Sequence, residues 1–379
     1  MSAEKRGALA VNGILAYDGG SPTGLAVYTR EVLSRLVPES QRVDAVVFTN
    51  STMLGSQTGL RCIRVPDGVV PPRHRASVLR ALWMTIVFPG ILSRIGADMF
   101  YSTVPEGLAL GAGGIRQVIT IHDLLPLRYR SYLPKHYYYF QYALPAIIKR
   151  SAGIICDSEA THRDLVTMLG KPLCPVSVVP AGYDAGVFHQ RSGDEYEWAA
   201  AKGPYFLYVG DMRPYKNVDT ALRAFAAMSR RGSRFVIVGN RDTKDSGPLE
   251  ELVSSLGIID SVEFTGFVSD AQLAQLYCGA LALVFPSLWE GFGLPPLEAM
   301  ASGCPVITSN VASLPEVCGD AVEYVDPTSV DSIRNAMERV IREPALREDL
   351  RGRGLERAKL FSWDRTAREV WQVLESVRR

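Results

Sequence analysis

The chain has 379 residues, 47% of them hydrophobic and 21% charged, with a formal net charge of +1. That length calls for about two domains, because single cores rarely grow so large, and the near-neutral balance excludes a disordered chain or one built around nucleic-acid binding. The six cysteines, Cys62, Cys156, Cys174, Cys278, Cys304 and Cys318, show no Cys-x-x-Cys spacing and sit mostly in or beside apolar runs, as free thiols of a reducing compartment do.

The first residues, Met1 to Arg6, lead into a strand-like run without the apolar core of a signal peptide. The longest apolar stretch, Ala81 to Leu92, falls short of the ~20 residues that cross a bilayer. A cytoplasmic protein without a membrane anchor is expected. Strands are read at Ala8 to Ala16, Val43 to Thr49, Met99 to Ser102, Gln117 to Ile121, Gly153 to Cys156 and Val176 to Val179, with helices between them that include Gly24 to Leu36 and, behind a Ser158 cap, Glu159 to Leu169. A polar stretch from His189 to Lys202 precedes a second series of strands at Tyr205 to Gly210, Phe235 to Val238, Val262 to Phe264, Leu281 to Phe285 and Val306 to Thr308. In the last segment, Trp363, Ala367, Val370, Trp371 and Leu374 share one helical face.

This alternation predicts an α/β protein of two Rossmann-like units facing across a cleft, with domains at 1–188 and 189–362 and a helix at 363–379 crossing back to the first domain.

Four segments carry candidate chemistry. In Leu283 to Met300 a buried strand gives way to a glycine-containing loop and a Pro-started helix. Gly291 and Gly293 let backbone amides approach a ligand, the helix N-terminus suits a diphosphate, and Glu290 and Glu298 can accept hydrogen bonds from hydroxyls at opposite ends of one ligand. In Tyr208 to Asn217, Arg213 and Lys216 follow a strand, where fixed cations would stabilise a departing diphosphate without a metal. In Val118 to Leu124, His122 and Asp123 stand at a strand's C-terminal end. The Asp18 to Gly24 loop, with Gly20 and Gly24, permits backbone approach to phosphate but lacks the Gly-x-Gly-x-x-Gly pattern of a dehydrogenase.

The Glu290 to Glu298 segment resembles the Glu-x7-Glu signature of retaining glycosyltransferase family 4, whose fold is GT-B, and the resemblance runs through nearly the whole chain. It implies that Glu290, with the backbone of Gly291, Phe292, Gly293 and Leu294, meets the transferred sugar, that Glu298 holds the donor ribose, and that Val268 beside Gly266 and Phe267 meets the base. It also implies catalytic roles for His122, Glu290, Lys216 and Arg213, phosphate contacts from Gly20 and Gly24, and an acceptor contact from Asp123. The family usually places an arginine where this chain has Asp211 or Tyr215, so Arg213 stands as a substitute.

The segments Ile121 to Pro126 and Leu288 to Pro295 resemble those of bacterial polysaccharide mannosyltransferases. That resemblance implies a GDP-mannose donor, a saccharide or polyprenyl-linked acceptor, no cofactor and no metal. Alternatives are a UDP-sugar-dependent transferase, a nucleotide-sugar epimerase and a non-catalytic sugar-nucleotide scaffold. Arg73, Arg75, Arg80 and Arg94 among Leu79, Leu82, Trp83, Ile86, Val87, Phe88 and Ile91, with the aromatic and basic Arg128 to Phe140 region, suggest a peripheral membrane face.

Overall fold

Strand-length apolar runs separated by crossover helices pair in parallel here, because each crossover returns the chain to the same end of the sheet. The computed structural model describes residues 7–16, 23–40, 44–52, 54, 60–70, 76–110, 113–191, 199, 201–228, 232–240 and 245–378. The chain divides into two compact units, Met1–Gly182 with Trp363–Arg379, and Tyr183–Ser362. The division falls ahead of the 188/189 boundary because the turn after Tyr183 packs with the second unit. There the Phe188 N–H bonds the Asp184 carbonyl at 2.7 Å, and the Phe188 ring meets Tyr277 edge-on at 5.9 Å.

The first unit holds β1 (Ala8–Asn12), β2 (Ala45–Phe48), β3 (Arg61–Ile63), β4 (Ala97–Ser102), β5 (Arg116–Ile121), β6 (Ser151–Cys156) and β7 (Val176–Val178) in one parallel sheet of order β3-β2-β1-β4-β5-β6-β7. Strand β1 stops at Asn12, short of the Ala16 expected from its apolar run. Asn12 explains the stop: its Nδ2 donates to Ser102 Oγ at 3.0 Å and its Oδ1 accepts the Ile14 N–H at 3.2 Å, while Ala16 turns back onto the Gly13 carbonyl at 3.0 Å. The edge strand β3, with Arg61 and Cys62 exposed, has no apolar pattern by which to read it. Ser158 caps the helix Glu159–Leu169 as expected, accepting the Thr161 N–H at 3.1 Å.

Part of the expected membrane face belongs to the core. Trp83 and Phe88 are buried with Phe48, Val46 and Phe100, and Arg80 turns inward to a bidentate pair with Glu106 at 2.6 and 2.7 Å and to the Val69 carbonyl at 3.0 Å. Leu79, Leu82, Ile86 and Val87 stay exposed at the helix Ala76–Ile86 and its end. Arg73 and Arg75 lie outside the described residues, as does the Lys135 side chain.

The helix Trp363–Arg378 returns to the first unit and packs on the helix Gly24–Ser40, β5 and β6. It buries Trp363, Ala367, Val370, Trp371 and Leu374, at roughly 1.5–3 kcal/mol for each fully buried large apolar side chain. Polar contacts fix its position: Thr366 Oγ1 donates to the Pro180 carbonyl at 2.7 Å, Arg35 pairs with Asp364 at 2.9 Å, and Arg378 with Asp98 at 2.7 Å.

The second unit holds β8 (Tyr205–Val209), β9 (Arg234–Val238), β10 (Val262–Gly266), β11 (Ala282–Phe285), β12 (Val306–Ser309) and β13 (Glu323–Val325), all parallel in the order β10-β9-β8-β11-β12-β13. The strand order reverses between β8 and β11, and the C-terminal ends of strands at such a reversal are the usual ligand position in these sheets. On the other side of β8, Gly210 bonds the Val238 carbonyl at 3.0 Å and Gly239 bonds the Gly266 carbonyl at 3.2 Å. A Cβ on Gly239 would lie 2.0 Å from the Gly210 carbonyl oxygen. Gly239→Ala is expected to lower stability by about 1–3 kcal/mol, as overpacking against backbone does; urea denaturation measures the loss.

Candidate donor site

The short helix Pro214–Lys216 follows β8, and Asn217 ends it in the left-handed region at φ 62°. Asn217 then clamps the neighbouring loops, donating from Nδ2 to the Pro286 carbonyl at 3.0 Å and the Pro327 carbonyl at 2.7 Å. The Leu288 N–H bonds the Tyr215 carbonyl at 2.8 Å. The loops after β8 and β11 are therefore stitched together, and they bring Lys216 onto Glu290, 74 residues away in sequence. Lys216 Nζ donates to both carboxylate oxygens at 2.7 and 3.0 Å. Burial works against the ammonium, but Glu290, with Tyr215 and Asp211, outweighs it and raises the Lys216 pKa well above its ordinary value. The Phe285 and Tyr215 rings lie 5.4 and 5.6 Å from Nζ.

Arg213 is placed differently. It is half exposed, 3.4 Å from Asp211 through Nε and 3.5 Å from the Tyr215 hydroxyl through its guanidinium. Burial lowers and Asp211 raises its pKa, with a net upward shift. The two cations of this loop thus each face a carboxylate, so local charge is balanced.

Beyond Glu290 the chain passes Gly291 and the buried Phe292, whose ring meets Phe361 edge-on at 6.0 Å. The Ser313 hydroxyl lies 2.9 Å from the Glu290 carbonyl and 2.7 Å from that of Phe292. Gly293, at φ 113°, caps the helix Leu294–Ala301, and a Cβ there would meet Leu314 at 2.9 Å. The helix start is poorer in donors than a generic N-terminus, because Pro295 and Pro296 have no N–H and Leu297 already bonds the Gly293 carbonyl at 3.3 Å. The Gly293 and Leu294 amides remain for a ligand.

One turn along, Glu298 accepts from the Tyr277 hydroxyl at 3.2 Å through Oε2. Burial pushes the Glu298 pKa up to about 8, with Tyr277 lowering it and Asp270 raising it. Val268 is half-buried beside the exposed Phe267, just before the Ser269 capping box of the helix Asp270–Gly279.

The first unit presents a second charged pair. His122, after β5, faces Asp157 Oδ2 at 2.5 Å through Nδ1 and the Thr103 carbonyl at 2.7 Å through Nε2. Burial lowers its pKa, and Asp157 and the Thr103 carbonyl raise it by more. With acceptors facing both nitrogens the protonated ring is favoured, and both contacts lie within the first unit. Asp123 Oδ1 accepts the Leu125 N–H at 3.0 Å and so supports the helix Leu125–Arg128. Gly24 opens the helix Gly24–Ser40 in an exposed position; Gly20 lies outside the described residues. Sequence reasoning missed Asp157, Tyr277, Asn217 and Ser313. The one available signal was that Asp157 precedes a capping serine at a strand end.

Comparison with known proteins identifies this arrangement. Residues 22–187 match Glycosyltransferase Family 4 and residues 195–357 match Glycosyl transferases group 1. O-antigen chain mannosyltransferase B of Escherichia coli is 32% identical over 258 residues, 66% of this chain and 67% of that protein. The chain belongs to glycosyltransferase family 4. A second relative of this glycosyltransferase, O-antigen chain mannosyltransferase RfbU of Salmonella typhimurium, is 29% identical over 335 residues, covering 86% of this chain and 89% of that one. The sucrose-phosphate synthase of Thermosynechococcus elongatus superposes with a TM-score of 0.81 at 22% identity, over 98% of this chain and 99% of that one. The fold of the glycosyltransferase is GT-B.

Removing one member of a buried ion pair strands the other, at a cost of about 3–5 kcal/mol. Glu290→Gln is expected to destabilise the glycosyltransferase on that scale, and the double variant Lys216→Met/Glu290→Leu to recover most of the loss. Thermal unfolding of the three proteins at one pH checks the order.

Proposed function

We propose that this glycosyltransferase moves mannose from GDP-mannose onto a saccharide or polyprenyl-linked saccharide acceptor in bacterial surface polysaccharide synthesis, with retention of anomeric configuration and without a metal. The observation that carries the reading is the buried Lys216–Glu290 pair at the β8/β11 crevice, with Glu298 one helical turn away on the same segment. Glu290 takes the sugar hydroxyls and Glu298 the ribose hydroxyls, and the diphosphate between them meets Lys216, Arg213 and the Gly293 and Leu294 amides. The mannosyltransferase relatives support the choice of sugar.

The acceptor hydroxyl oxygen attacks C1 from the face the leaving group departs. The C1–O bond to phosphate breaks as the new C1–O bond forms, and the hydroxyl proton passes to the leaving phosphate oxygen. Fixed cations and amides stabilise the charge on that phosphate, as preorganised donors do.

Among the described residues no helix is long and apolar enough to cross a membrane. The exposed Leu79, Leu82 and Ile86 form the face by which the enzyme would reach a lipid-linked acceptor.

A panel of GDP-, UDP-, ADP- and dTDP-sugars, with and without Mg²⁺, tests the donor. Selective stabilisation by GDP-mannose is expected, unchanged by Mg²⁺ and absent in Glu298→Ala. Ligand at 100 times its Kd adds about 2.7 kcal/mol, a rise of several degrees in Tm. A response to UDP-sugars alone would replace the donor, and an inverted product anomer would overturn the mechanism. Cosedimentation with phosphatidylglycerol vesicles at low salt tests the membrane face: binding is expected, and weakening in Leu82→Glu/Ile86→Glu. Indifference to vesicles would end that part of the reading.

A further inference from the structure

Glu298 is held on one side only. Tyr277, wholly buried in the helix Asp270–Gly279, points its hydroxyl at Glu298 Oε2 at 3.2 Å. The ring is wedged by an edge-on contact with Phe188 at 5.9 Å, so the hydroxyl has little freedom to turn elsewhere. Glu298 Oε1 accepts no hydrogen bond from the described residues. A carboxylate held through one oxygen keeps its other oxygen available to accept from a ligand.

We propose that Tyr277 is a positioning residue of the donor site, holding Glu298 through Oε2 so that Oε1 is presented to the ribose hydroxyls of the nucleotide sugar. The inference rests on the donor-site reading above and adds to it a coupling between donor binding and proton release.

The coupling follows from the surroundings. Of the groups packed about Glu298, Tyr277 lowers its pKa and Asp270, on the same helix as Tyr277, raises it. Cys304, ahead of β12, acts on Tyr277, and Arg351 of the helix Pro344–Ala358 acts on Cys304. Among the described residues no cation acts on Glu298, and burial raises its pKa to about 8. A carboxylic acid spends one oxygen on its own proton, whereas the carboxylate accepts at both. Ribose hydroxyls therefore bind best to the ionised form, so below pH 8 donor binding releases a proton and tightens as pH rises. Tyr277→Phe deletes the hydrogen bond that lowers the pKa, and the midpoint of this rise moves upward.

The test measures Kd for the nucleotide diphosphate of whichever donor stabilises the protein in the panel, by titration calorimetry from pH 6 to 9.5, for wild type, Tyr277→Phe and Glu298→Ala. In Tyr277→Phe, Kd at pH 7 is expected to weaken about tenfold, which corresponds to a midpoint shift of about one pH unit. The deficit is expected to shrink toward pH 9.5, with kcat at saturating donor changed by less than about twofold, on the scale of a role confined to donor binding. No deficit at any pH overturns the Tyr277 inference, and a deficit equal at every pH overturns its coupling to proton release. Full donor affinity in Glu298→Ala overturns the reading of Glu298 as the ribose contact, and so does the absence of binding by every nucleotide. Loss in Glu298→Ala beside a wild-type profile in Tyr277→Phe removes the inference alone. The Tyr277→Phe substitution keeps the packing against Phe188, and melting temperature confirms the fold of each variant.

Discussion

The buried ion pair between Lys216 and Glu290 is the contact about which the second unit is arranged. Each charge loses water on entering the crevice, a cost of several kcal/mol per ion that only close, doubly bonded geometry offsets. The geometry is supplied by backbone: Asn217 accepts a left-handed conformation and ties the loops after β8 and β11 to each other and to Pro327. Ser313 fixes the far side through the Glu290 and Phe292 carbonyls. None of these contacts would form if β8 and β11 were not neighbours, so the strand-order reversal is what makes the pair affordable.

The first unit solves a similar problem differently. His122 and Asp157 leave the ends of the adjacent parallel strands β5 and β6, and the Thr103 carbonyl after β4 closes the imidazolium's second nitrogen. Thr161, one turn into the helix capped by Ser158, donates to the His122 carbonyl at 3.0 Å. The ring is thus fixed from three consecutive strand ends, and the side chain that the motif advertises is held by groups the motif does not contain. Asp157 Oδ1 remains buried without a partner among the described residues, which makes the His122 contact through Oδ2 the main support of that carboxylate.

The order of strands and helices was legible because apolar runs and turn residues act locally, and the helix Trp363–Arg378 was legible from the spacing of Trp363, Ala367, Val370, Trp371 and Leu374. The residue types of the candidate site were legible as candidates, since Glu290, Glu298, Lys216 and the glycines lie within two short segments. What pairs with what was not. The bond from Lys216 to Glu290 spans 74 residues, and that from His122 to Asp157 spans 35; such distances are closed by sheet order, to which a local pattern is blind. Arg80 shows the same limit: a cation between Leu79 and Leu82 reads as a solvated face until Glu106, 26 residues later, turns it inward. The short, exposed β3 and the proline-depleted amides ahead of Glu298 depend on details finer than hydropathy.

The two carboxylates of one signature consequently differ in chemistry. Glu290 and Glu298 are separated by a loop and one helical turn, yet one has an ammonium on both oxygens and the other a single phenol. A carboxylate that has only a neutral donor is governed by desolvation and rises toward neutrality, for Glu298 to about 8. The difference originates outside the signature, in Lys216 on the loop after β8 and Tyr277 on the helix before β11. Spacing within the motif sets how far apart the carboxylates stand, and the elements packed on either side set which partner each one meets.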